Sequence, residues 1–378
     1  PTMSVPYQKA FQQDEAYRTT AEWKLRHNKT EWMIRSAYLD ETINFQDPSN
    51  TFLNGVNQSK TNITEAESRI RLNEKHYLNI GINNTYSIAF SRGYGGWKDL
   101  NRTSVFASYK TQSLIKNVTT TLSIREERVS ETLTPIMPSA GVEWQATKWM
   151  KVFGNVSRSY NVPTLNQRYW LSAVNIKLQP EIGWSEELSV TLNHSIKTVR
   201  TSLTFTGFNR IIENWIVWQP ALLDWAPRNL KSVWSRGLEG TGTIQVPVGK
   251  LQLKYIGSVN LVLSTNNQTI LANDASIDKQ LIYVPRVTQQ HQFTATYGKT
   301  FMAYSHQYTG IRFITTDNTQ WLNDYQVASL AAGKTFTWKQ YNLVLSAQVL
   351  NLYNSSYQAV ADRPMPGRHF LTTITIKL

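Results

Sequence analysis

The chain has 378 residues, no cysteine and a net charge of +13, with 17% charged and 12% aromatic residues. Without cysteine, disulfides, thiolate zinc sites, a cysteine nucleophile and thiol redox chemistry are excluded. Charge is low against about 25% in soluble domains, aromatics are many, and no apolar run nears the ~18 residues of a membrane helix; of the membrane classes only the β-barrel stays open.

Alternation with period two runs through the chain. In 118–124, Val118, Leu122 and Ile124 oppose Thr119, Thr121 and Ser123; in 341–349, Tyr341, Leu343, Leu345 and Val349 oppose Asn342, Ser346 and Gln348. Such alternation marks half-buried strands. Strands are expected over 16–27, 30–47, 60–74, 77–94, 102–114, 118–131, 137–147, 149–159, 184–195, 201–217, 233–246, 251–264, 286–298, 301–314, 321–337, 341–352 and 366–378. No helix with a 3.6 period is found. The face opposite the apolar one is Thr, Ser, Asn and Gln more often than Lys or Glu, as in an all-β, transmembrane antiparallel barrel with lipid outside and water inside. A soluble all-β binding protein, such as a propeller, is the competing architecture, but no blade-length repeat supports it.

The connections alternate short and long. Each of eight short turns holds a lysine: Lys29, Lys75, Lys116, Lys148, Lys197, Lys250, Lys299 and Lys339. The long connections are 48–59, 95–101, 160–183, 218–232, 265–285, 315–320 and 353–365. This is the pattern of tight periplasmic turns and long outer loops. The first strand then runs inward and the last ends in the periplasm. Bacterial barrels of this kind close with an even count, so an odd count implies either an odd number of strands missing upstream or a rare odd-stranded barrel.

Several stretches resemble TonB-dependent outer-membrane receptors. Asn351-Leu352-Tyr353-Asn354 with Tyr357, followed by Arg363-Pro364-Met365-Pro366-Gly367-Arg368, is similar to the C-terminal signature of that family. Ser159-Tyr160-Asn161-Val162-Pro163-Thr164 resembles its FRAPT box, with Asn161 in place of Arg. Leu178-Gln179-Pro180-Glu181 resembles the LKPE box, with Gln179 in place of Lys. Asn214-Trp215-Ile216-Val217-Trp218, Trp225-Ala226-Pro227-Arg228 and Ser235-Arg236-Gly237-Leu238-Glu239 look like the next hairpin in the Bacteroidota branch, which includes cobalamin-receptor-like members. Leu378 departs from the usual terminal aromatic. The resemblance covers residues 130–378 by motif and 1–130 by pattern.

The resemblance implies a barrel of about 22 strands, with this chain as roughly strands 6–22. Residues 1–378 would be the C-terminal portion of the barrel, with the plug domain and about five strands missing or on another chain. It implies a Gram-negative outer-membrane location. It also implies coupling to TonB-ExbB-ExbD through a plug that this chain lacks, a companion polypeptide supplying plug and strands, lipopolysaccharide at the outer rim and a surface lipoprotein partner. The function implied is uptake of a scarce large solute, cobalamin or a ferric siderophore. The alternative is a barrel-borne outer-membrane enzyme or adhesin. No GxSxG, P-loop or acid/base pair stands out, so no catalytic residue is assigned.

Candidate ligand residues lie in the expected outer loops: Tyr160, Arg168, Tyr169 and Trp170 in one, Trp218, Trp225 and Arg228 in another. Aromatics there stack on or cage a ligand and cations hold an anionic one; a self-packed loop in an aromatic belt is the other reading. Family-motif positions are Pro163, Thr164, Pro180, Glu181, Asn351, Tyr357, Pro366, Gly367 and Arg368. Loop 265–285 is rich in oxygen ligands (Asn267, Asn273, Asp274, Asp278), yet without EF-hand spacing for Ca2+. Six scattered histidines give no metal-site spacing. None lies between Thr164 and Leu178, where the resemblance implies that a haem receptor would keep one, which argues against haem. No metal and no cofactor is assigned. Glu126 and Glu127 beside Arg125 and Arg128 read as a solvated charge cluster. The basic residues are dispersed over turns and strand ends, which disfavours nucleic acid.

Overall fold

The computed structural model describes residues 10–48, 54–112, 115–170, 178–220, 225–268 and 274–377, with only the backbone for 219, 220, 225, 231, 338 and 377. All seventeen expected long strands are present. They are β1 Phe11–His27, β2 Thr30–Gln46, β3 Gly55–Arg71, β4 His76–Ser91, β5 Gly96–Gln112, β6 Val118–Val129, β7 Met137–Gln145, β8 Met150–Asn161, β9 Glu181–Ile196, β10 Val199–Pro220, β11 Trp225–Val248, β12 Leu251–Gln268, β13 Val287–Tyr297, β14 Thr300–Thr309, β15 Tyr325–Trp338, β16 Tyr341–Leu350 and β17 His369–Lys377. Two-residue pieces at Arg312–Phe313 and Trp321–Leu322 form one small hairpin, and Gln358–Val360 with Arg363–Pro364 forms another.

The chain divides into two units. The first comprises Pro1–Val142, Val156–Trp184 and Ile212–Leu230; the second comprises Glu143–Asn155, Ser185–Ile211 and Lys231–Leu378. Strands β7–β10, and β11 at its start, give residues to both.

In the first unit β1–β6 form an antiparallel meander whose register matches the alternation. Trp23 opposes Ile34 and Leu25 opposes Trp32. These four side chains are each about half exposed, and Ile80 and Ile82 on the same face are similarly open. Large apolar groups left outward on a continuous face need hydrocarbon as their solvent. The opposite face carries Glu31, Arg35, Glu65, Glu67 and Arg69, facing one another across β2 and β3. Phe106 lies flat over Gly81, its register partner; a Cβ at 81 would come within 2.5 Å of that ring and 2.8 Å of the Ala66 carbonyl.

In the second unit β12–β17 repeat the pattern. Tyr255, Phe293 and Tyr304 occupy successive strands on the apolar face, with ring centroids 4.7 Å and 6.3 Å apart. Ser258, Gln290, Gln307, Gln292, Ser305 and Ser329 pair across the polar one. The tight turns at Gly249 and Gly298 take φ of 59° and 57°, which glycine adopts without strain and which the two-residue hairpin requires.

β1 pairs with β2, and every residue of β1 is exposed. β17 pairs with β16, and its described side chains are exposed, Phe370 at 74% and Ile374 at 66%. Each is an edge strand of its unit.

Three expectations need correction. Residues 55–59, 96–101 and most of 218–232 are strand, not loop: 55–59 pair with β2, 96–101 pair with β4, and the Trp-Ile-Val-Trp run at 215–218 carries β10 on to Pro220. The connection expected at 315–320 is longer, 310–324, and includes a small hairpin. A helix exists, α1 Leu165–Tyr169, too short for its period to show.

Candidate functional site

The long connection after β8 is organised by a capping box. Thr164 Oγ1 accepts the Gln167 N–H at 3.2 Å, and Gln167 Oε1 accepts the Thr164 N–H at 2.8 Å, which starts α1. Pro163 is fully buried just before it. The Arg168 guanidinium returns to the Pro163 carbonyl, Nε donating at 3.0 Å. Thr164 and Pro163 therefore act by shaping the loop.

α1 packs on the turn between β4 and β5, a 3-10 turn at Arg92–Tyr94. Tyr94 Oη donates to Asn166 Oδ1 at 3.4 Å, and its ring lies 6.4 Å from that of Tyr169. Burial pushes the Tyr94 phenol up, so it stays a neutral donor. Lys98 Nζ sits 5.1 Å over the Tyr169 ring. Trp170 closes over Gly93, where a Cβ would lie 3.2 Å from its ring. Close by, burial pushes the phenol of Tyr160, at the end of β8, up, and Arg168, Glu127 and Arg102 lie near enough to act on it. Glu127 is 3% exposed, held by Arg102 and Arg125. It is thus a buried counter-charge rather than part of a solvated cluster: β5, β6 and the 130–134 return cover it, with Thr134 Oγ1 accepting its N–H.

The result is a cluster of four aromatic rings, Tyr94, Tyr160, Tyr169 and Trp170, with Lys98 and Arg168, beside the buried Glu127 carboxylate and its partners Arg102 and Arg125. Such a surface can stack a flat or bulky organic ligand and attract its negative groups. The expected residues Tyr160, Arg168, Tyr169 and Trp170 come together here. Tyr94, Lys98, Arg102 and Asn166 were missed. The Arg92-Gly93-Tyr94-Gly95-Gly96-Trp97 run after β4 was the available signal, since clustered glycines mark a turn and here they present an aromatic and a cation.

Trp218 and Arg228 instead stand on β10 and β11, Trp218 half-buried and Arg228 exposed. For Trp225 only the backbone is described, and the rest of the expected loop, 221–224, lies outside the described residues. Glu181 and its neighbours stitch strand ends. Its carboxylate accepts Asn161 Nδ2 at 2.8 Å and the Ile216 N–H at 2.7 Å. Asn229 holds Gln179 through both its amide atoms at 2.8 Å and 3.0 Å, carrying the Pro180 segment.

The C-terminal motif is also architectural. Asn351, 3% exposed, donates to the Ser355 and Pro366 carbonyls and accepts the Ser355 N–H. Asn354 Oδ1 accepts the Arg368 N–H at 2.8 Å, and a Cβ at Gly367 would meet that same oxygen at 2.9 Å. Tyr357 packs at 4.5 Å on Tyr325, over which Arg312 also lies. Buried Arg312 ties the motif in by donating to the Gln358, Ala359 and Asn323 carbonyls. In loop 265–285 Asp274 accepts the Ser276 N–H, and Gln280, 1% exposed, accepts the Ser264 N–H and donates to the Val262 and Val284 carbonyls. Asn273 lies outside the described residues.

Residues 2–352 match the family described as TonB dependent receptor-like, beta-barrel. Over 245 residues the chain is 24% identical to the vitamin B12 transporter BtuB of Photobacterium profundum, covering 62% of this chain and 36% of that protein. Among solved structures it resembles the ferric enterobactin receptor PfeA of Pseudomonas aeruginosa, with a TM-score of 0.71, 15% identity and coverage of 96% and 61% of the two chains. It likewise resembles the ferric-catecholate import receptor Fiu of E. coli, with a TM-score of 0.72, 14% identity and coverage of 97% and 64%. The chain thus spans about a third of the curated transporter's length and under two thirds of these receptors. At such identities the structural likeness concerns the fold.

Proposed function

Because the chain belongs to the TonB-dependent receptor-like β-barrel family, we propose that it builds most of the wall and the ligand-facing rim of a Gram-negative outer-membrane importer for a scarce, large solute. The observation that carries this reading is the clasp of α1 on the 92–94 turn, which gathers Tyr94, Lys98, Tyr169 and Trp170 into one cationic, aromatic surface. Cobalamin is the leading solute, since the curated relative transports vitamin B12; a ferric siderophore is the second, and its acidic groups suit the cations. Energy would come from TonB-ExbB-ExbD through a plug domain. On this reading the chain supplies roughly strands 6–22 of a ~22-stranded barrel. The bare edges of β1 and β17 would pair with about five further strands, carried upstream or by a companion polypeptide, because an open sheet edge in hydrocarbon leaves backbone groups unsatisfied. Lipopolysaccharide would meet the outer rim, and a surface lipoprotein would cap the loops.

The test is equilibrium binding of cyanocobalamin and of a ferric catecholate to the full-length protein in detergent, read by quenching of tryptophan fluorescence. One of them is expected to bind, at least ten-fold more weakly in Arg168→Ala and Tyr169→Ala. Binding of neither, or binding untouched by both substitutions, sinks the reading.

A further inference from the structure

The aromatic rim leaves the lysines of the short turns without a role. In the second unit Lys148, Lys197, Lys250, Lys299 and Lys339 stand in such turns, and all are exposed. Lys197 and Lys339 take φ of 53° and 52°, a left-handed backbone that glycine or asparagine adopts at lower cost. Turn geometry alone therefore does not select lysine there. Acidic residues are kept away from this end. Within eight residues of these turns along the chain the one carboxylate is Glu143, paired with Lys151 at 3.2 Å. The carboxylates beyond residue 240, Asp274, Asp278, Asp317, Asp324 and Asp362, all lie in the long connections at the opposite strand ends.

An apolar row meets these lysines on the outward face. Val248 opposes Leu251 and Leu251 opposes Tyr297, while Phe336 opposes Leu343 and Leu343 opposes Ile376. Register partners share a face, here the one whose large groups need hydrocarbon as solvent. Ile196, Val248 and Tyr297 are each more than half exposed, one or two residues from a turn lysine. Lys334 stands on that same face: it opposes Leu345, which opposes Ile374. Its Nζ lies 5.3 Å from the centroid of the Phe336 ring, two residues nearer the turn. The side chain thus runs along the wall toward the turn, as a lysine does when it carries its charge out of hydrocarbon to the nearest polar layer. A plug in the lumen does not reach Lys334, because the wall lies between them.

We propose that the short-turn end of the second unit binds anionic phospholipids, their phosphates on Lys250, Lys299 and Lys334 and their acyl chains along the Val248–Leu251–Tyr297 row. An ammonium donates charge-assisted hydrogen bonds to phosphate oxygens. Tyrosine at the edge of the apolar band sits at head-group level. Each basic residue close to an anionic lipid surface strengthens binding about five-fold. Lys334 is what selects a lipid over a soluble anion: its stem lies on the apolar face, where only a molecule with a hydrocarbon part reaches both it and the row beside it. The inference requires the membrane barrel and is independent of which solute the rim takes.

Native mass spectrometry of the full-length protein in detergent, titrated with phosphatidylglycerol and separately with zwitterionic phosphatidylethanolamine, tests this. Phosphatidylglycerol is expected to bind at least five-fold more tightly, with the preference shrinking as salt is added. The Lys250→Gln/Lys299→Gln/Lys334→Gln variant is expected to lose at least three-fold of that preference, while Lys254→Gln, a cation of the polar face of β12, keeps it. Should the triple variant lose its β-sheet circular dichroism, Lys250→Gln/Lys299→Gln, confined to exposed turns, carries the same test with a two-fold or greater loss. Equal binding of the two lipids overturns the proposal, as does an unaltered preference in the folded variants or an equal loss with Lys254→Gln. Binding of glycerol 1-phosphate as tight as that of phosphatidylglycerol also overturns it, because the acyl chains would then contribute nothing.

Discussion

The polar faces of the two units are built from different chemistry on the same backbone pattern. Across β1–β4 the face is an ionic ladder: Glu22 with Arg35, Arg35 with Glu65 and Glu67, Glu67 with Arg69 and with Asn79. Beyond residue 230 only six carboxylates occur, and Glu239 alone of them stands in a strand. There, neutral groups take over: Ser235 with Ser264, Asn260 with Thr288, and Gln280 with three backbone partners. Period-two alternation demands only that one face be wettable. What wets it is unconstrained by the fold, and that freedom lets the first unit concentrate charge.

Steric substitutions are expected to ignore this difference and to have the largest effect. Gly81→Val drives a side chain into Phe106, and Gly333→Val into Phe301, where a Cβ would already lie 2.5 Å from the ring. Each is expected to cost about 3 kcal/mol or to prevent folding, read by denaturant titration in detergent. Unequal losses would mean that the two units are not packed by the same rule. Next, Gln280→Leu orphans one N–H and two carbonyls and is expected to cost about 2 kcal/mol, independent of salt. Glu67→Gln, 6% exposed in its side chain but facing the more open Arg35 and Arg69, is expected to cost about 1 kcal/mol. That cost should shrink in 1 M salt, where screening reaches about 3 Å. If the salt responses were reversed, the contrast between an ionic and a neutral face would fail.

Smaller effects belong to the loops. Thr164→Ala removes half of the capping box and is expected to loosen α1 by about 1 kcal/mol, seen as faster amide exchange in 165–170 and weaker ligand binding. Asp317 is held below the usual carboxylate range by hydrogen bonds from the Thr315 side chain and from Thr319, whose N–H and hydroxyl reach it at 3.1 Å and 2.8 Å. A depressed native pKa gives a contribution present above the unfolded value of about 3.9 and lost as pH falls through the native one. Thr319 amide protection should therefore be flat from about pH 7 to 5 and fall below about pH 4. A decline beginning near neutrality would point to another group.

Much of the site's framework was legible. Thr164-x-x-Gln167 is a capping box on paper, although a five-residue helix leaves no periodicity to accompany it. Tyr160, Arg168, Tyr169 and Trp170 could be singled out because aromatic and basic residues crowded one long connection. Glu181 resisted reading: nothing local says that its carboxylate will accept an N–H from residue 216. Glu127 looked solvated because its burial comes from Arg102 and Thr134, on separate segments. Trp218 and Arg228 were assigned to a loop because strand ends that project past the membrane carry the same polar and aromatic mixture as loops do.

From the sequence alone came the seventeen strands, the tight turns, the apolar face and the family resemblance. All of these rest on periods of two and on short-range turn chemistry, which neighbouring residues determine. Only the tertiary structure decided which charges meet and that α1 rests on a turn 72 residues away. Those outcomes depend on strand register, and register is set by the summed geometry of many hairpins rather than by any one stretch of chain.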